Sequence, residues 1–156
     1  MTAEEDKRFM RIAIEASRES VRDGNYPYGA VLVSPDGELL HVAKNKQLTD
    51  STGHAEVVLV REAAAKLGPQ KLVGATVYAS GEPCAMCAGA LFWARVGRVV
   101  YGMSTATIMR VGGPPTLSLP CAQVLAGGSH TVQVDGPLLE VEAAAVLAAA
   151  RQNAAK

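Results

Sequence analysis

The sequence has few aromatic side chains, few cysteines and no surplus of charge of either sign. Tryptophan, tyrosine and phenylalanine make up 4% of its 156 residues, and only three residues are cysteine. Lys+Arg and Asp+Glu are balanced at 15 each. A protein that binds a polyphosphate chain such as a nucleic acid usually has an excess of basic residues. The balance therefore favours a small neutral substrate and argues against a nucleic-acid partner.

Long apolar runs are also missing. No stretch approaches the roughly 20 apolar residues of a membrane-spanning helix, and the amino terminus, MTAEED, has no signal-peptide core. The chain is therefore expected to be cytoplasmic, where neighbouring thiols more often bind metal or do chemistry than form disulfides. With 49% hydrophobic and 19% charged residues, residues 1–156 are expected to form one domain.

Hydrophobic periodicity and turn residues predict alternating helices and strands. The first helix begins with a capping box, Thr2-x-x-Glu5, and is closed by Gly24. The other predicted elements are strands at 29–33, 38–45, 75–80, 98–102 and 131–134, and helices at 54–67 (with Thr52 as N-cap), 83–95 and 137–152. Residues 104–128 are predicted to be mostly loop with one short helix. Strands separated by helices predict a three-layer α/β/α sandwich around a mixed five-stranded sheet.

Two of the three cysteines lie close together in the stretch GEPCAMCAGA, where Cys84 and Cys87 follow Pro83. Proline suits the first turn of a helix, and positions i and i+3 share a helix face, so both sulfurs can converge on one point. By itself the pair fits a thioredoxin-type redox pair, half of a metal site, or two small core residues.

A histidine in the upstream stretch STGHAEVV supplies a third donor. His54 is expected in the first turn of its own helix, and Zn²⁺ accepts one histidine and two thiolates with a tetrahedral position left open, as in catalytic sites. Glu56 points to a different side of that helix, where its carboxylate is suited to carry a proton from water to a leaving nitrogen. A structural zinc site would need no such carboxylate, and a thiol oxidoreductase would need no metal.

The pattern H-x-E followed by P-C-x-x-C is the signature of zinc deaminases. Together with PYGAVLV, Asn45, HAEVVLVREAAAKLG, EPCAMCAGAL and RVVYG, it makes the sequence resemble the cytidine and deoxycytidylate deaminase superfamily over roughly residues 9–102. Within that superfamily, the sequence is similar to bacterial guanine deaminases and to tRNA adenosine deaminases.

The resemblance implies an active site and an assembly. Zinc would be held by His54, Cys84 and Cys87, and Glu56 would carry the proton during hydrolytic release of ammonia. The resemblance also implies a homodimer, for which the apolar helix AMCAGALFWA offers small residues.

Four substrate contacts are expected from the same resemblance. It assigns Asn45 a hydrogen bond to the substrate ring and makes the backbone amide of Ala55 a second contact. Trp93 and Tyr28 are candidates for aromatic walls of the pocket. The alternatives are a turn role for Asn45 and a core role for Trp93. Three further residues are expected to be structural: His41, Cys121 and His130.

The carboxy-terminal segment bears on the substrate class. Enzymes that deaminate tRNA adenosine carry basic residues in their last helix, whereas residues 131–156 contain two basic and three acidic residues. The expected substrate is therefore a small free nucleobase or related amino-heterocycle of the guanine, cytosine or aminotriazine type. The alternative is tRNA adenosine, because the ending HTVQVDGPLLEVEAAAVL resembles that of the tRNA enzymes. The chain lacks the terminal aromatic residue of guanine deaminases, so residues 103–121 are expected to form the lid.

Overall fold

The computed structural model of the chain describes residues 1–112 and 116–154. The helices are α1 (Ala3–Arg22), α2 (Ala55–Leu67), α3 (Ala85–Trp93), α4 (Thr105–Gly112), α5 (Cys121–Ala126) and α6 (Glu140–Ala154). The strands are β1 (Gly29–Val33), β2 (Leu39–Lys44), β3 (Thr76–Gly81), β4 (Arg98–Met103) and β5 (Gln133–Asp135), and a 3₁₀ turn spans Pro69–Leu72. None of the helices in these residues is long and apolar enough to cross a membrane.

The strands form one mixed five-stranded sheet in the order β2-β1-β3-β4-β5. Strand β1 is antiparallel to β2 and to β3, whereas β3, β4 and β5 run parallel. Parallel neighbours need a crossover connection, and α3 provides it between β3 and β4. The carboxyl ends of β3 and β4 therefore lie at the same edge of the sheet, where the metal-binding motif begins.

Helices cover both faces of the sheet, so the predicted three-layer sandwich is confirmed. On one face Leu32, Val77 and Val99 pack with α2, α3 and α5. On the other face Val31, Tyr78 and Val100 pack with α1, α4 and α6. Adjacent strand residues point to opposite faces, which is why β1 and β3 are buried along their whole length. We call these layers the α2/α3 layer and the α1/α6 layer.

The capping box of α1 is present as predicted. The backbone N–H of Thr2 donates to Glu5 Oε2 at 2.8 Å, and the N–H of Glu5 donates to Thr2 Oγ1 at 3.1 Å. The predicted N-cap of α2 is wrong. His54 occupies that position, because the Thr52 hydroxyl is engaged by Asp50 Oδ1 at 3.2 Å in the preceding turn.

Other boundaries differ from the prediction by a few residues. Helix α3 ends at Trp93 rather than at 95, since Arg95 has a φ of 65°, outside the helical region. Strand β5 begins at Gln133 rather than at 131, and α6 begins at Glu140 rather than at 137.

The largest difference concerns residues 104–128, where the prediction of mostly loop with one short helix is wrong. The described part of this segment carries two helices, α4 and α5, while its stretch 113–115 lies outside the described residues. Their first N–H groups are bonded by carboxylates from elsewhere in the chain: Glu140 accepts from Ser104, and Glu82 accepts from Thr105 and Cys121. A local reading of the sequence cannot detect caps supplied from a distance.

Candidate active site

The candidate metal ligands lie where two helices begin. His54 is the N-cap of α2, Cys84 is the N-cap of α3, and Cys87 lies in the first turn of α3. Neither N-cap side chain makes a capping hydrogen bond to its own helix, so both side chains can bind a metal ion instead. Helix amino termini carry partial positive charge, which favours thiolates over thiols.

The three donor atoms form a nearly equilateral triangle. His54 Nδ1 lies 3.6 Å from Cys84 Sγ and 3.4 Å from Cys87 Sγ, and the two sulfurs are 3.7 Å apart. A tetrahedral zinc site with Zn–S bonds of about 2.3 Å and Zn–N bonds of about 2.0–2.1 Å has donor–donor edges of about 3.6–3.8 Å. The triad therefore fits a metal ion of that size.

Hydrogen bonds within the triad shift the pKa of each of its members. The hydrogen bond shared with Cys87 lowers the pKa of Cys84 to about 4, and the hydrogen bond with Cys84 raises the pKa of His54. The hydrogen bond shared with Cys84 raises the pKa of the Cys87 thiol. Metal binding releases the protons held by these groups, because a metal-ligating sulfur must be a thiolate and a ligating imidazole must be neutral.

Glu56 lies in the first turn of α2 beside the triad and is 5% exposed. Burial raises the pKa of its carboxyl group to about 6. A carboxyl group whose pKa lies near neutrality can accept and donate a proton at comparable cost, which is what general acid–base catalysis needs.

A cavity of about 240 Å³ opens beside the triad. It is lined by His54, Cys84 and Glu56, and by three of the four predicted substrate contacts: Tyr28, Asn45 and Ala55. A further part of the wall comes from α4, through Thr105 and Ile108, and from residues 116–117. The predicted lid segment thus contributes to the wall. No lysine or arginine is among the described residues that line the cavity.

The family model for the cytidine and deoxycytidylate deaminase zinc-binding region matches residues 3–103, a span that contains the triad and Glu56. The chain belongs to this deaminase family. Its fold agrees with that assignment. A solved structure of guanine deaminase from Nitrosomonas europaea superposes with a TM-score of 0.78 at 24% identity, covering 94% of this chain and 84% of that one.

Two relatives with different names are similar to this deaminase-family chain. A probable cytosine deaminase of Schizosaccharomyces pombe is 32% identical over 149 residues, covering 90% of this chain and 89% of that protein. A tRNA-specific adenosine deaminase of Bacillus subtilis is 42% identical over 100 residues, covering 63% of this chain and 62% of that protein. Because these relatives have different substrates in their names, membership of the deaminase family leaves the substrate open.

Within this deaminase-family site, Asn45 combines the turn role and the cavity position that the sequence left as alternatives. Its side chain is 1% exposed. Asn45 Nδ2 donates to Gln47 Oε1 at 2.6 Å, and the backbone N–H of Gln47 donates to Asn45 Oδ1 at 2.9 Å. Gln47 also lines the cavity, and sequence reasoning missed it. An Asx-turn pattern after β2 was the available signal.

Tyr28 lines the cavity, and its contact with substrate stays a prediction. Burial, followed by the negative charge of Glu56, raises the pKa of its phenol to about 12, so the group stays neutral. Its ring lies against Gly81, where an added Cβ would come within 2.9 Å of Tyr28 Cε1 and 3.1 Å of Ile108 Cδ1. Glycine at position 81 therefore keeps room for both walls.

The structure does not bring Trp93 to the cavity. Trp93 is 81% exposed at the far end of α3 and packs edge-on against Phe92, with ring centroids 5.2 Å apart. On its other side Phe92 stacks on His130 at 4.2 Å. His41 bonds Glu62 Oε1 at 2.9 Å. Cys121 is fully buried, as predicted.

Proposed function

We propose that this chain is a zinc-dependent aminohydrolase that releases ammonia from a small free nucleobase or related amino-heterocycle, of the guanine, cytosine or aminotriazine type. The observation that carries the proposal is the cavity. It joins a metal-binding triad and a buried carboxyl group to polar and aromatic walls, and its described lining holds no cationic side chain. A neutral ring needs hydrogen-bonding groups and an aromatic surface, and needs no counter-charge.

His54, Cys84 and Cys87 hold the zinc ion in this proposal. When bound, zinc supplies a Lewis acid that lowers the pKa of water towards ~7. Three protein ligands would leave one coordination position for water or substrate, as in catalytic zinc sites. Metal analysis of fresh reduced protein tests this step: we expect one zinc per chain, and a thiol oxidoreductase would have none.

Glu56 moves the protons of the reaction. It takes one proton from the attacking water and delivers it to a ring nitrogen, and it then takes the second proton of that water and delivers it to the leaving amino group. The water oxygen bonds to the ring carbon that carried the amino group, the carbon–nitrogen bond breaks, and ammonia leaves. The reaction balances with water as the only co-substrate.

Three groups orient the ring against Glu56. Asn45, held in one orientation by Gln47, offers hydrogen bonds from a buried position. The N–H of Ala55, next to the ligand His54, offers a donor at the start of α2. The neutral phenol of Tyr28 supplies the aromatic face. These roles follow from the position of each residue in the cavity lining.

The second candidate function is tRNA adenosine deamination. It is favoured by the 42% identity to the tRNA-specific adenosine deaminase of Bacillus subtilis. An enzyme that neutralises several phosphates of single-stranded RNA loses affinity steeply as salt rises. The logarithm of its binding constant falls with the logarithm of salt concentration, with a slope of about −0.7 per phosphate contact. A neutral base in a cavity whose described lining has no cationic side chain has almost no such dependence. Salt therefore separates the two candidates.

The experiment measures ammonia release from guanine, cytosine and a 2-amino-1,3,5-triazine, and inosine formation in an adenosine-containing anticodon stem-loop, each at 50 and 200 mM salt. We expect conversion of at least one free base, little changed by salt and reduced by Asn45→Ala. Efficient, salt-sensitive conversion of the stem-loop without activity on any base would reject the proposal in favour of the tRNA function.

The proposed assembly is a homodimer formed through α3. Its partly exposed positions follow the helical spacing i, i+3, i+4, i+7 and consist of apolar or small residues: Met86, Gly89, Ala90 and Trp93. Such a stripe supports an interface between copies. Light scattering at micromolar concentration tests it, and a monomer would show that α3 packs on its own sheet only. The cytoplasmic location stays a prediction.

A further inference from the structure

Glu82 lies between the sheet and the metal ligands. It follows β3 and precedes Pro83 and Cys84. Its backbone N–H donates to the carbonyl of Met103 at the end of β4, at 2.7 Å, and its side chain lines the cavity. Glu82 is therefore attached to the two strands at whose ends the site is built.

Both carboxylate oxygens of Glu82 accept backbone N–H groups. Oε1 accepts from Thr105 and Oε2 accepts from Cys121, each at 2.8 Å. These donors are the first residues of α4 and α5. The first N–H groups of a helix have no acceptor within the helix itself. Glu82 therefore provides the partner for each of them.

The two helices that Glu82 joins belong to different layers. Helix α4 packs in the α1/α6 layer through Ile108, and α5 packs in the α2/α3 layer through Cys121. Thr105 and Ile108 of α4 line the same cavity as His54 and Cys84. One carboxylate thus links the segment that carries Cys84 to the part of the cavity wall that α4 supplies.

We propose that Glu82 is a positioning residue that holds the α4 wall at a set distance from the metal-binding triad and so determines how tightly the substrate ring is bound. This inference rests on the proposed function, in which the cavity is the substrate site. The groups that perform the reaction lie on α2 and on the first turn of α3, which the two bonds do not touch. Loss of the bonds therefore weakens substrate binding more than it slows the chemical step.

The substitution Glu82→Gln tests the two-point attachment. An amide has one acceptor oxygen and turns an N–H₂ group towards the second backbone N–H, so one of the two bonds is lost. Glu140→Gln is the matched control. Glu140 Oε2 accepts the N–H of Ser104 at 2.7 Å, next to Thr105 on the same helix start, and an amide oxygen can keep this single bond.

Amide hydrogen exchange of the zinc-loaded protein provides a readout that needs no substrate. In the wild-type chain we expect protected N–H groups at Thr105 and Cys121, although helix-start amides normally exchange fast. In the Glu82→Gln variant, we expect hydrogen exchange at the N–H of Thr105, of Cys121 or of both to accelerate roughly 10- to 100-fold, as expected for a lost hydrogen bond to a charged group. Glu140→Gln leaves both unchanged. Unprotected wild-type amides, or equal rates in Glu82→Gln, would overturn the proposal.

Steady-state kinetics on guanine and cytosine provide the second readout. We expect Glu82→Gln to keep one zinc per chain, to raise KM about tenfold and to change kcat by less than about threefold, for whichever base the wild type converts. Loss of zinc, or a fall in kcat at unchanged KM, would overturn the proposal, since Glu82 would then act on the triad. If the wild type converts neither base, the proposed substrate class fails, while hydrogen exchange still decides whether Glu82 makes the attachment.

Discussion

The two layers of helices place buried polar groups in different ways. In the α2/α3 layer, His54, Cys84 and Cys87 converge on one point, and no lysine or arginine is among the described residues that line the cavity beside them. In the α1/α6 layer, Asp6 is 13% exposed and Arg98 20% exposed, and they bond each other directly. Burying a charge is costly unless a partner is supplied. One layer obtains that partner from the chain, and the other is arranged to obtain it from a metal ion.

The network of the α1/α6 layer ties the first helix to the sheet. Arg98 Nη1 and Nη2 donate to the two oxygens of Asp6 at 2.8 and 2.9 Å, and Arg98 Nε donates to Asp135 at 2.7 Å. The hydroxyl of Tyr78 donates to Asp6 at 2.5 Å. These bonds join α1, β3, β4 and β5. The network therefore serves stability, whereas the triad and Glu56 serve chemistry in the proposed function.

The largest expected effect is on turnover, in the α2/α3 layer. Glu56→Gln keeps the shape of the side chain but cannot carry a proton, so we expect ammonia release to fall by about 10²–10⁴-fold or more with zinc content unchanged. Glu62→Gln on the same helix is the control, because Glu62 bonds His41 and Lys46 outside the cavity. A Glu56→Gln variant with a near-normal rate would contradict the proposed proton transfer.

Metal removal is expected to destabilise the same layer. A ligand that binds only the folded state stabilises it by about 4 kcal/mol when present at a thousand times its Kd. Chelation should therefore lower the melting temperature, and His54→Ala should lose zinc and make the protein insensitive to chelator. The measurement is thermal unfolding with and without chelator, together with elemental analysis. Equal melting temperatures for zinc-loaded and chelated wild type would contradict a metal role in stability.

Asp6→Asn tests the other layer. The hydrogen bonds from Arg98 hold the pKa of Asp6 below its usual value of 3.8. A depressed folded-state pKa contributes stability that is full above the unfolded-state pKa and is lost as pH falls through the folded-state value. We expect Asp6→Asn to cost about 1.5–3 kcal/mol at pH 7, and the difference from wild type to shrink below pH 3.8.

Enzyme activity distinguishes Asp6→Asn from the variants in the α2/α3 layer. Denaturant unfolding at pH 7, 5 and 3 measures the stability difference, and ammonia release at a temperature where both proteins are folded measures turnover. We expect unchanged turnover in Asp6→Asn. A difference in stability that stays constant down to pH 3 would show that the network contributes little through the charge of Asp6.

The chemistry of the site was predictable because it depends on short-range spacing. Cys84 and Cys87 are three residues apart at a helix start, and Glu56 follows His54 by two, so local helix geometry sets their directions. The sheet was predictable for a similar reason, since each strand is a separate apolar run between turn residues. The N-cap of α2 was wrongly predicted at Thr52, but this error did not change which residues were predicted to bind the metal.

The wall of the cavity was not predictable in this way. Helices α4 and α5 begin at N–H groups whose partners, Glu82 and Glu140, are 23 to 39 residues away in the sequence. Gln47, which follows β2, and Thr105, at the start of α4, line one cavity although they are far apart in the sequence. The composition of the cavity wall therefore depends on tertiary packing, and its identification from sequence needs the fold first.

The smallest expected effect on stability is at Trp93, which belongs to neither core. Because its side chain is 81% exposed, Trp93→Ala should change the free energy of unfolding of the monomer by no more than ~0.5 kcal/mol. Phe92→Ala should cost more, because that ring contacts Trp93 on one side and stacks on the partly buried ring of His130 on the other. If α3 forms the proposed dimer, Trp93→Ala should dissociate it at micromolar concentration, as measured by light scattering. An unchanged dimer would place the interface elsewhere, and a large loss of stability in a monomer would mean that Trp93 packs more deeply than its exposure indicates.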